Sequence, residues 1–308
     1  MLITMKEMLD RANQENYAVA APNVCCEVDA RAVLAAAEQA HSPVILDIGP
    51  LQCPDFILTG KYMRELAEQT PVPVAINLDH GGAAQGMKDN SRVITDMVHA
   101  LQGGFTSVMI DRSSLPYEEN VACVKELTII AHSVGVSVES ELGHVGDGKH
   151  FTDFSGSVFT DPKLAADYTR RTQVDCLAVS VGNAHGSYFC DVPRIDFDCL
   201  AAIKQEVGLP LVLHGGSGTG EENLYKACRM GVNKVNLYTG LISHVNDALK
   251  AADLSAGKTY DFWPVWQNTV IQYMLKQFDI FGSTQKAWTV EKQFIPEENY
   301  LFSSFAKN

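Results

Sequence analysis

The chain has 308 residues, of which 46% are apolar and 20% are charged, as expected for a globular protein with a sizeable core. Its 24 basic and 37 acidic side chains give a formal charge of −13, which argues against nucleic acid as a partner because binding phosphates needs a basic surface. The sequence has no recognisable signal peptide and no apolar run near the roughly 18 residues that cross a bilayer, so we expect a cytoplasmic protein without a membrane partner.

Short β-rich segments alternate with helical segments along most of the chain. The predicted strands are nearly continuous in Val, Ile, Leu and Ala, which is typical of strands covered on both faces. They span residues 17–23, 44–49, 74–80, 107–111, 136–143, 176–182, 211–216 and 234–239. Amphipathic helices are predicted at 29–39, 91–101, 118–132, 163–172 and 221–230, and Asp161-Pro162 has the form of a helix N-cap.

This alternation predicts a single TIM (β/α)₈ barrel. A doubly wound sheet is the alternative, because periodicity does not show whether a sheet closes. Residues 261–308 are predicted to form a C-terminal helical extension, with a helix at 263–281 followed by an aromatic tail, so that the whole chain is one barrel domain. The eight cysteines lack metal-binding spacing and are expected to be small buried thiols.

Three histidines lie at the carboxyl ends of predicted strands: His80 on strand three, His185 after strand six and His214 on strand seven. In a barrel these ends converge on one mouth. Three neutral imidazoles on rigid strand ends suit Zn²⁺ with one open position, although other divalent metals bind similar sites. The remaining six are expected to be solvated or capping residues: His41, His99, His132, His144, His150 and His244.

Carboxylates accompany the histidines at the same strand ends. Glu139 and Glu141 face one side of their strand, and Glu141, nearer the mouth, is the better metal ligand, whereas Glu139 is placed to orient a ligand. Asp111 is a further oxygen ligand, or alternatively a turn-forming aspartate. Asp79 is placed for general acid–base catalysis beside a metal, and the alternative is a capping or loop aspartate.

A glycine-rich turn follows predicted strand seven, where barrels commonly bind phosphate. Its glycines let backbone N–H groups approach an anion, and hydroxyl and amide side chains add donors. The candidate residues are Gly215, Gly216 and Ser217 in the turn, with Asn236 and Thr239 on strand eight.

Together these motifs resemble the class II, metal-dependent ketose-bisphosphate aldolases. The matching segments are Asn-Leu-Asp-His-Gly at 77–81, Gly-Phe-Thr-Ser-Val-Met-Ile-Asp at 104–111, Val-Glu-Ser-Glu-Leu-Gly at 138–143, His-Gly at 185–186, Leu-His-Gly-Gly-Ser-Gly at 213–218, Lys-Val-Asn-x-x-Thr at 234–239 and Phe-Gly-Ser at 281–283. The resemblance covers residues 1–288, and 289–308 form an extension.

The resemblance implies a zinc-dependent aldolase on a TIM barrel, commonly a homodimer or homotetramer. Zinc would be held by the three histidines, with Glu141 and Asp111 completing the site or holding the metal in an alternative position. Zinc would polarise the ketose carbonyl and stabilise the enediolate, and Asp79 would be the acid–base residue. The ketose phosphate, typically dihydroxyacetone phosphate, would contact Asn23, Gly186, Gly215, Gly216, Ser217, Asn236 and Thr239.

The sequence departs from the family around the substrate. The family usually has a loop glutamate implicated in proton transfer after Glu-Leu-Gly, but residues 144–150 contain none. Strand two ends in Asp47-Ile48-Gly49 where the family often has a serine, and Tyr238 stands where a small polar residue is common. These changes predict a substrate other than fructose 1,6-bisphosphate. The alternative functions are a metal-dependent hydrolase on the same barrel and a non-catalytic aldolase-like subunit.

Overall fold

The computed structural model describes residues 1–53, 55–82, 90–143, 145, 159–186, 193–255 and 257–290. Eight parallel strands form a closed barrel in sequence order, so the TIM barrel prediction is confirmed and the doubly wound sheet is not formed. The strands are β1 (Val19–Pro22), β2 (Val44–Ile48), β3 (Val74–Gly81), β4 (Ser107–Ile110), β5 (Ser137–Leu142), β6 (Cys176–Val179), β7 (Leu211–Leu213) and β8 (Val232–Leu237).

Helices alternate with these strands on the outside of the barrel. Within the described residues they are α1 (Met5–Glu15), α2 (Glu27–Ala40), α3 (Phe56–Gln69), α4 (Ser91–Gly103), α5 (Tyr117–Ser133), α6 (Pro162–Thr172), α7 (Phe197–Val207), α8 (Glu221–Arg229), α9 (Thr239–Ala251) and α10 (Phe262–Phe281), with a 3₁₀ turn at Thr259–Asp261. None of the described helices is long and apolar enough to span a membrane.

Seven of the eight predicted strands extend too far at their carboxyl ends, whereas β3 continues one residue beyond the prediction, to Gly81. Strand six ends at Val179 rather than 182, and strand seven at Leu213 rather than 216. The sequence predicts Thr239 as part of strand eight, and this prediction is wrong. The strand ends at Leu237, and Thr239 is the first residue of α9. The reason is that apolar and glycine residues continue past the last ladder hydrogen bond into the loops that form the mouth.

The barrel interior changes from apolar to polar along its axis. At the amino-terminal end, α1 inserts its buried face against interior side chains, and this cluster includes Met5, Met8, Leu9 and Met109. Towards the carboxyl end the inward positions carry fully buried polar groups, among them Asp47, Asn77, Glu139 and Lys234. The polar layer therefore lies directly beneath the mouth.

Helix α10 lies beyond the eighth strand and packs on α2 and α9. It buries Val270, Met274, Phe278 and Phe281 in the outer layer of the core. Trp266 Nε1 donates a hydrogen bond to Asp29 Oδ1 at 2.6 Å, which joins α10 to α2. The helix predicted at 263–281 is thus present, whereas the aromatic tail beyond residue 290 lies outside the described residues, and the single-domain assignment stays a prediction.

The Asp161 N-cap predicted from sequence is present at the start of α6. Asp161 Oδ1 accepts hydrogen bonds from the N–H groups of Lys163 and Leu164, both at 2.9 Å, and Pro162 opens the helix. Replacing Asp161 by alanine is expected to lower the free energy of unfolding by about 1 kcal/mol. Urea unfolding measures this loss, with Lys163→Ala in the same turn as the control. Equal stability of the two variants would contradict the cap.

Candidate active site

Three imidazole rings converge at the carboxyl end of the barrel, as the sequence predicted. His80 lies on β3, His185 in the loop after β6 and His214 directly after β7. Their ring centroids are 5.0 Å (His80–His185), 4.6 Å (His80–His214) and 5.5 Å (His185–His214) apart. One nitrogen from each ring lies within 4.8 Å of the others, a separation short enough for a shared metal ion.

One nitrogen of each ring is held by a protein acceptor. Asp111 Oδ2 lies 2.8 Å from His80 Nδ1, and the carbonyl oxygen of Val145 accepts from His185 Nδ1 at 3.0 Å. Glu139 Oε1 accepts from His214 Nε2 at 2.9 Å. Such partners fix the tautomer of a metal-binding histidine. The second nitrogen of each ring is therefore left to face the centre.

The inward nitrogens fit a divalent metal. His80 Nε2 and His185 Nε2 are 3.3 Å apart, and tetrahedral zinc with bonds of about 2.0–2.1 Å places two nitrogens about 3.3–3.4 Å apart. His214 Nδ1 is buried and has no hydrogen-bond partner among the described residues. Burial lowers the pKa of His80, but the carboxylates of Asp79 and Asp111 outweigh it and raise that pKa to about 10. The same negative field favours a cation at this ring.

A second group of possible ligands shares His80. Ligand atoms of His80, Asp111 and Glu141 also lie within 4.8 Å of one another. Burial, reinforced by the charge of Asp111, raises the pKa of Glu141 to about 8. A cation beside this carboxylate would stabilise its ionised form, which burial disfavours. Asp111 also forms the turn considered from the sequence, because its Oδ1 accepts from the N–H and hydroxyl of Ser113. These groups offer a metal two neighbouring positions.

A backbone irregularity brings Asp79 and His80 into the same site. Neighbouring residues of a regular strand point to opposite faces. The pairing of β3 with β4 shifts register between Leu78 and Gly81, and His80 has a left-handed φ of 49°. A bulge of this kind re-aims a side chain next to an active site, so both residues reach the mouth.

Two asparagine amides hold the Asp79 carboxylate. Asn23 Nδ2 donates to Oδ2 at 2.8 Å and Asn236 Nδ2 donates to Oδ1 at 3.1 Å, while His80 Nε2 lies 3.9 Å from Oδ1. Burial opposes ionisation of Asp79, but electrostatic interactions with His80, His214 and Lys234 and the hydrogen bond from Asn23 keep its pKa below the ordinary value. Asn23 and Asn236, predicted as substrate contacts, thus orient an ionised carboxylate.

The glycine-rich turn packs tightly against its neighbours. A Cβ on Gly215, whose φ is 68°, would lie 1.9 Å from the carbonyl oxygen of Ala184, and the N–H of Gly216 donates to the carbonyl of Asn236 at 3.2 Å. Ser217 Oγ accepts from the N–H of Gly240 at 2.8 Å. The turn therefore sets a serine hydroxyl beside the first turn of α9, where Thr239 lies, and helix N-termini favour anions.

Comparison with known proteins identifies the family. The family model described as fructose-bisphosphate aldolase class-II matches residues 3–286. The chain belongs to this family. It is 39% identical to a fructose-bisphosphate aldolase of Geobacillus stearothermophilus over 77% of this chain and 81% of that protein. For one from Staphylococcus aureus (strain Mu50), the identity is 37% with the same coverage.

A solved structure shares the fold. The YdjI aldolase of Escherichia coli K12 superposes with a TM-score of 0.80 at 30% identity, covering 94% of this chain and all of that one. The protein is therefore a metal-dependent class II aldolase, a carbon–carbon lyase, and the hydrolase and the non-catalytic subunit are not favoured.

The aldolase departs from its family where the sequence indicated. A Cβ on Gly49 would lie 2.6 Å from Gln52 Oε1, so the glutamine amide takes the space in which a serine side chain would stand. Tyr238, which is 38% exposed, interacts electrostatically with Cys25 and Gln52. These three residues follow strands one, two and eight at the mouth. Of residues 144–150, which lack the family glutamate, only Val145 is among the described residues. Residues 187–192 also lie outside them, so Gly186 is the last described residue before that segment.

One further group of this aldolase has no role in the sequence-based predictions. Lys234 and Asp47 are inward-facing and fully buried, and Lys234 lies between two carboxylates beneath the three converging histidines. The alternation of side chains along a strand could have indicated this position. Lys234 precedes the inward-facing Asn236 by two residues on β8, so both side chains face the barrel interior. A lysine facing a barrel interior needs an acidic partner there.

Proposed function

We propose that this aldolase cleaves, and in reverse forms, a carbon–carbon bond of a ketose phosphate, with zinc as its metal and Asp79 as its acid–base residue. The observation that carries the proposal is that three imidazole nitrogens face one point with an ionised carboxylate beside them. Three nitrogen ligands with an open position are typical of catalytic zinc. A homodimer or homotetramer stays a prediction from the family resemblance.

His80, His185 and His214 would hold the divalent cation, which would supply Lewis-acid polarisation of the ketose carbonyl and stabilisation of the negative charge left after cleavage. In cleavage, Asp79 takes the proton from the hydroxyl on the carbon whose bond breaks, and in the reverse condensation it returns this proton to the same oxygen. Asn23 and Asn236 keep both carboxylate oxygens oriented for this transfer. Holding the base on hydrogen-bonded strand ends gives it a defined direction towards the bound hydroxyl.

The phosphate is proposed to bind beside β7 and β8. Ser217 and Thr239 supply hydroxyl groups there, and Gly186 and Gly215 keep backbone close to the same side of the mouth. Gly216 shapes the turn, since its N–H is engaged with Asn236. At the end of β8, Tyr238 stands where a small polar residue is common, and Gln52 Oε1 lies 2.6 Å from the position of a Cβ on Gly49. These differences support a ketose phosphate other than fructose 1,6-bisphosphate as the preferred substrate.

The test is a cleavage panel with metal-stripped and zinc-reloaded protein. Ketose mono- and bisphosphates are supplied in turn, and the aldehyde and dihydroxyacetone phosphate formed are measured by coupled reduction. We expect cleavage only after metal is restored. The kcat/KM for fructose 1,6-bisphosphate should be about 10-fold or more below that of the best substrate, because one charge-assisted contact contributes about 1.5–3 kcal/mol. Preference for fructose 1,6-bisphosphate would refute the altered specificity, and no cleavage at all would refute the activity.

A further inference from the structure

Lys234 is a fully buried lysine in the barrel interior with two acidic neighbours. Its Nζ lies 2.8 Å from Glu139 Oε2 and 3.1 Å from Asp47 Oδ2, and all three side chains are 0% exposed. Removing such ions from water costs several kcal/mol each, so buried ion pairs contribute little net stability. A function other than stability therefore accounts better for this cluster.

The cluster continues to a metal-facing imidazole. The second oxygen of Glu139, Oε1, accepts the hydrogen bond from His214 Nε2 at 2.9 Å. Glu139 is thus held at both oxygens, by Lys234 on one side and by His214 on the other. The opposite ring nitrogen of His214 is the buried Nδ1 that points to the metal position. A displacement of the Glu139 carboxylate would rotate this ring.

Asp47 offers a natural comparison within the same cluster. It contacts Lys234 through Oδ2 and accepts a hydrogen bond from Asn77 Nδ2 through Oδ1 at 2.8 Å. Among the described residues, the Asp47 carboxylate forms no hydrogen bond or ion pair with a histidine. Replacing Asp47 by asparagine would remove one of the two acidic partners of Lys234, but it would remove neither the Lys234–Glu139 contact nor the Glu139–His214 hydrogen bond.

We propose that Lys234 is a positioning residue for the metal: it fixes the Glu139 carboxylate, which in turn holds His214 with Nδ1 directed at the cation. This role rests on the proposed metal site and not on the reaction or its substrate. Outer partners of metal-binding histidines alter metal affinity by roughly 10- to 100-fold when they are lost. Lys234 lies one contact further from the metal position than Glu139, and it acts by holding the Glu139 carboxylate in an ion pair.

The test compares Asp47→Asn with the double variant Asp47→Asn/Lys234→Met, using wild-type protein as the reference. The double variant keeps the formal charge of the wild-type cluster, since it loses one acid and one base together, and so avoids two unpaired buried carboxylates. Co²⁺ affinity is measured by competition with a chromophoric chelator, and the visible spectrum of bound Co²⁺ reports ligand geometry. Urea unfolding of the metal-free proteins records stability separately.

We expect Asp47→Asn to bind Co²⁺ as wild type does, and the double variant to bind it about 10-fold or more weakly with an altered spectrum. Wild-type affinity and spectrum in the double variant would overturn the proposal, as would an equal loss in Asp47→Asn. Glu139→Gln completes the design: adding Lys234→Met to it should cause no further loss of affinity, because Lys234 acts through Glu139. A full additional loss would contradict that route. None of these measurements depends on aldol cleavage.

Discussion

Replacing Asp79 by asparagine is expected to reduce kcat for ketose phosphate cleavage by roughly 10²- to 10⁴-fold, the usual contribution of a general acid–base group. Asparagine has nearly the shape of aspartate but cannot take up the hydroxyl proton. Asp79 Oδ1 lies 3.9 Å from the inward nitrogen of His80, beyond hydrogen-bonding distance, so bound metal should stay near the wild-type amount. Steady-state kinetics and metal analysis of the same preparation separate the two effects.

Asp175→Asn is the matched control for this change. Asp175 is also a buried carboxylate at a strand start, where it accepts from His132 Nε2 at 2.8 Å and from the N–H of Val138 at 2.7 Å. It lies before β6, at the barrel end remote from the mouth. The control should lose stability while keeping kcat. Full activity in Asp79→Asn would remove Asp79 from the acid–base role.

Replacing His214 by alanine is expected to abolish tight metal binding, and activity with it. One of three nitrogen ligands disappears, so the loss of affinity should exceed the roughly 10- to 100-fold caused by losing an outer partner. Stability should fall as well, because the Glu139 oxygen beneath it loses its donor, at a cost of about 1–3 kcal/mol. Metal content after gel filtration, together with unfolding curves, measures both consequences.

His132→Ala is the control for the histidine change. His132 also pairs with a buried carboxylate, that of Asp175, but it lies in the last turn of α5 and its side chain is 39% exposed. Losing it should affect stability alone. Unchanged metal content in His214→Ala would refute the proposed ligand set, whereas parallel metal loss in both variants would indicate general unfolding.

The barrel and its three histidines were predictable from the sequence because each depends on local patterns. Buried parallel strands give continuous apolar runs, and the carboxyl ends of such strands share one mouth, so His80, His185 and His214 could be placed together before any contact was known. The departures at Gly49 and Tyr238 were equally visible, although the interaction of Gln52 with Tyr238 depends on a side-chain direction that no pattern specifies.

The remaining features depend on backbone geometry and on contacts between distant residues. The sequence does not specify the register shift that turns Asp79 and His80 to the same side, because it arises from the pairing of β3 with β4. Thr239 was assigned to the wrong element, since the strand ends two residues before it. Lys234 meets Glu139 across 95 residues of chain, and periodicity gives only its inward direction.

Hydrogen exchange at the carbon next to the ketose carbonyl tests the central claim most directly, because it needs the metal and a base but no aldehyde partner. Metal-stripped and zinc-reloaded protein are incubated with dihydroxyacetone phosphate in D₂O and followed by NMR, with bound metal measured in each sample. We expect one α-hydrogen to exchange in the reloaded protein and none in the stripped protein. Absence of exchange in protein shown to carry a full complement of zinc would contradict the proposed aldolase chemistry.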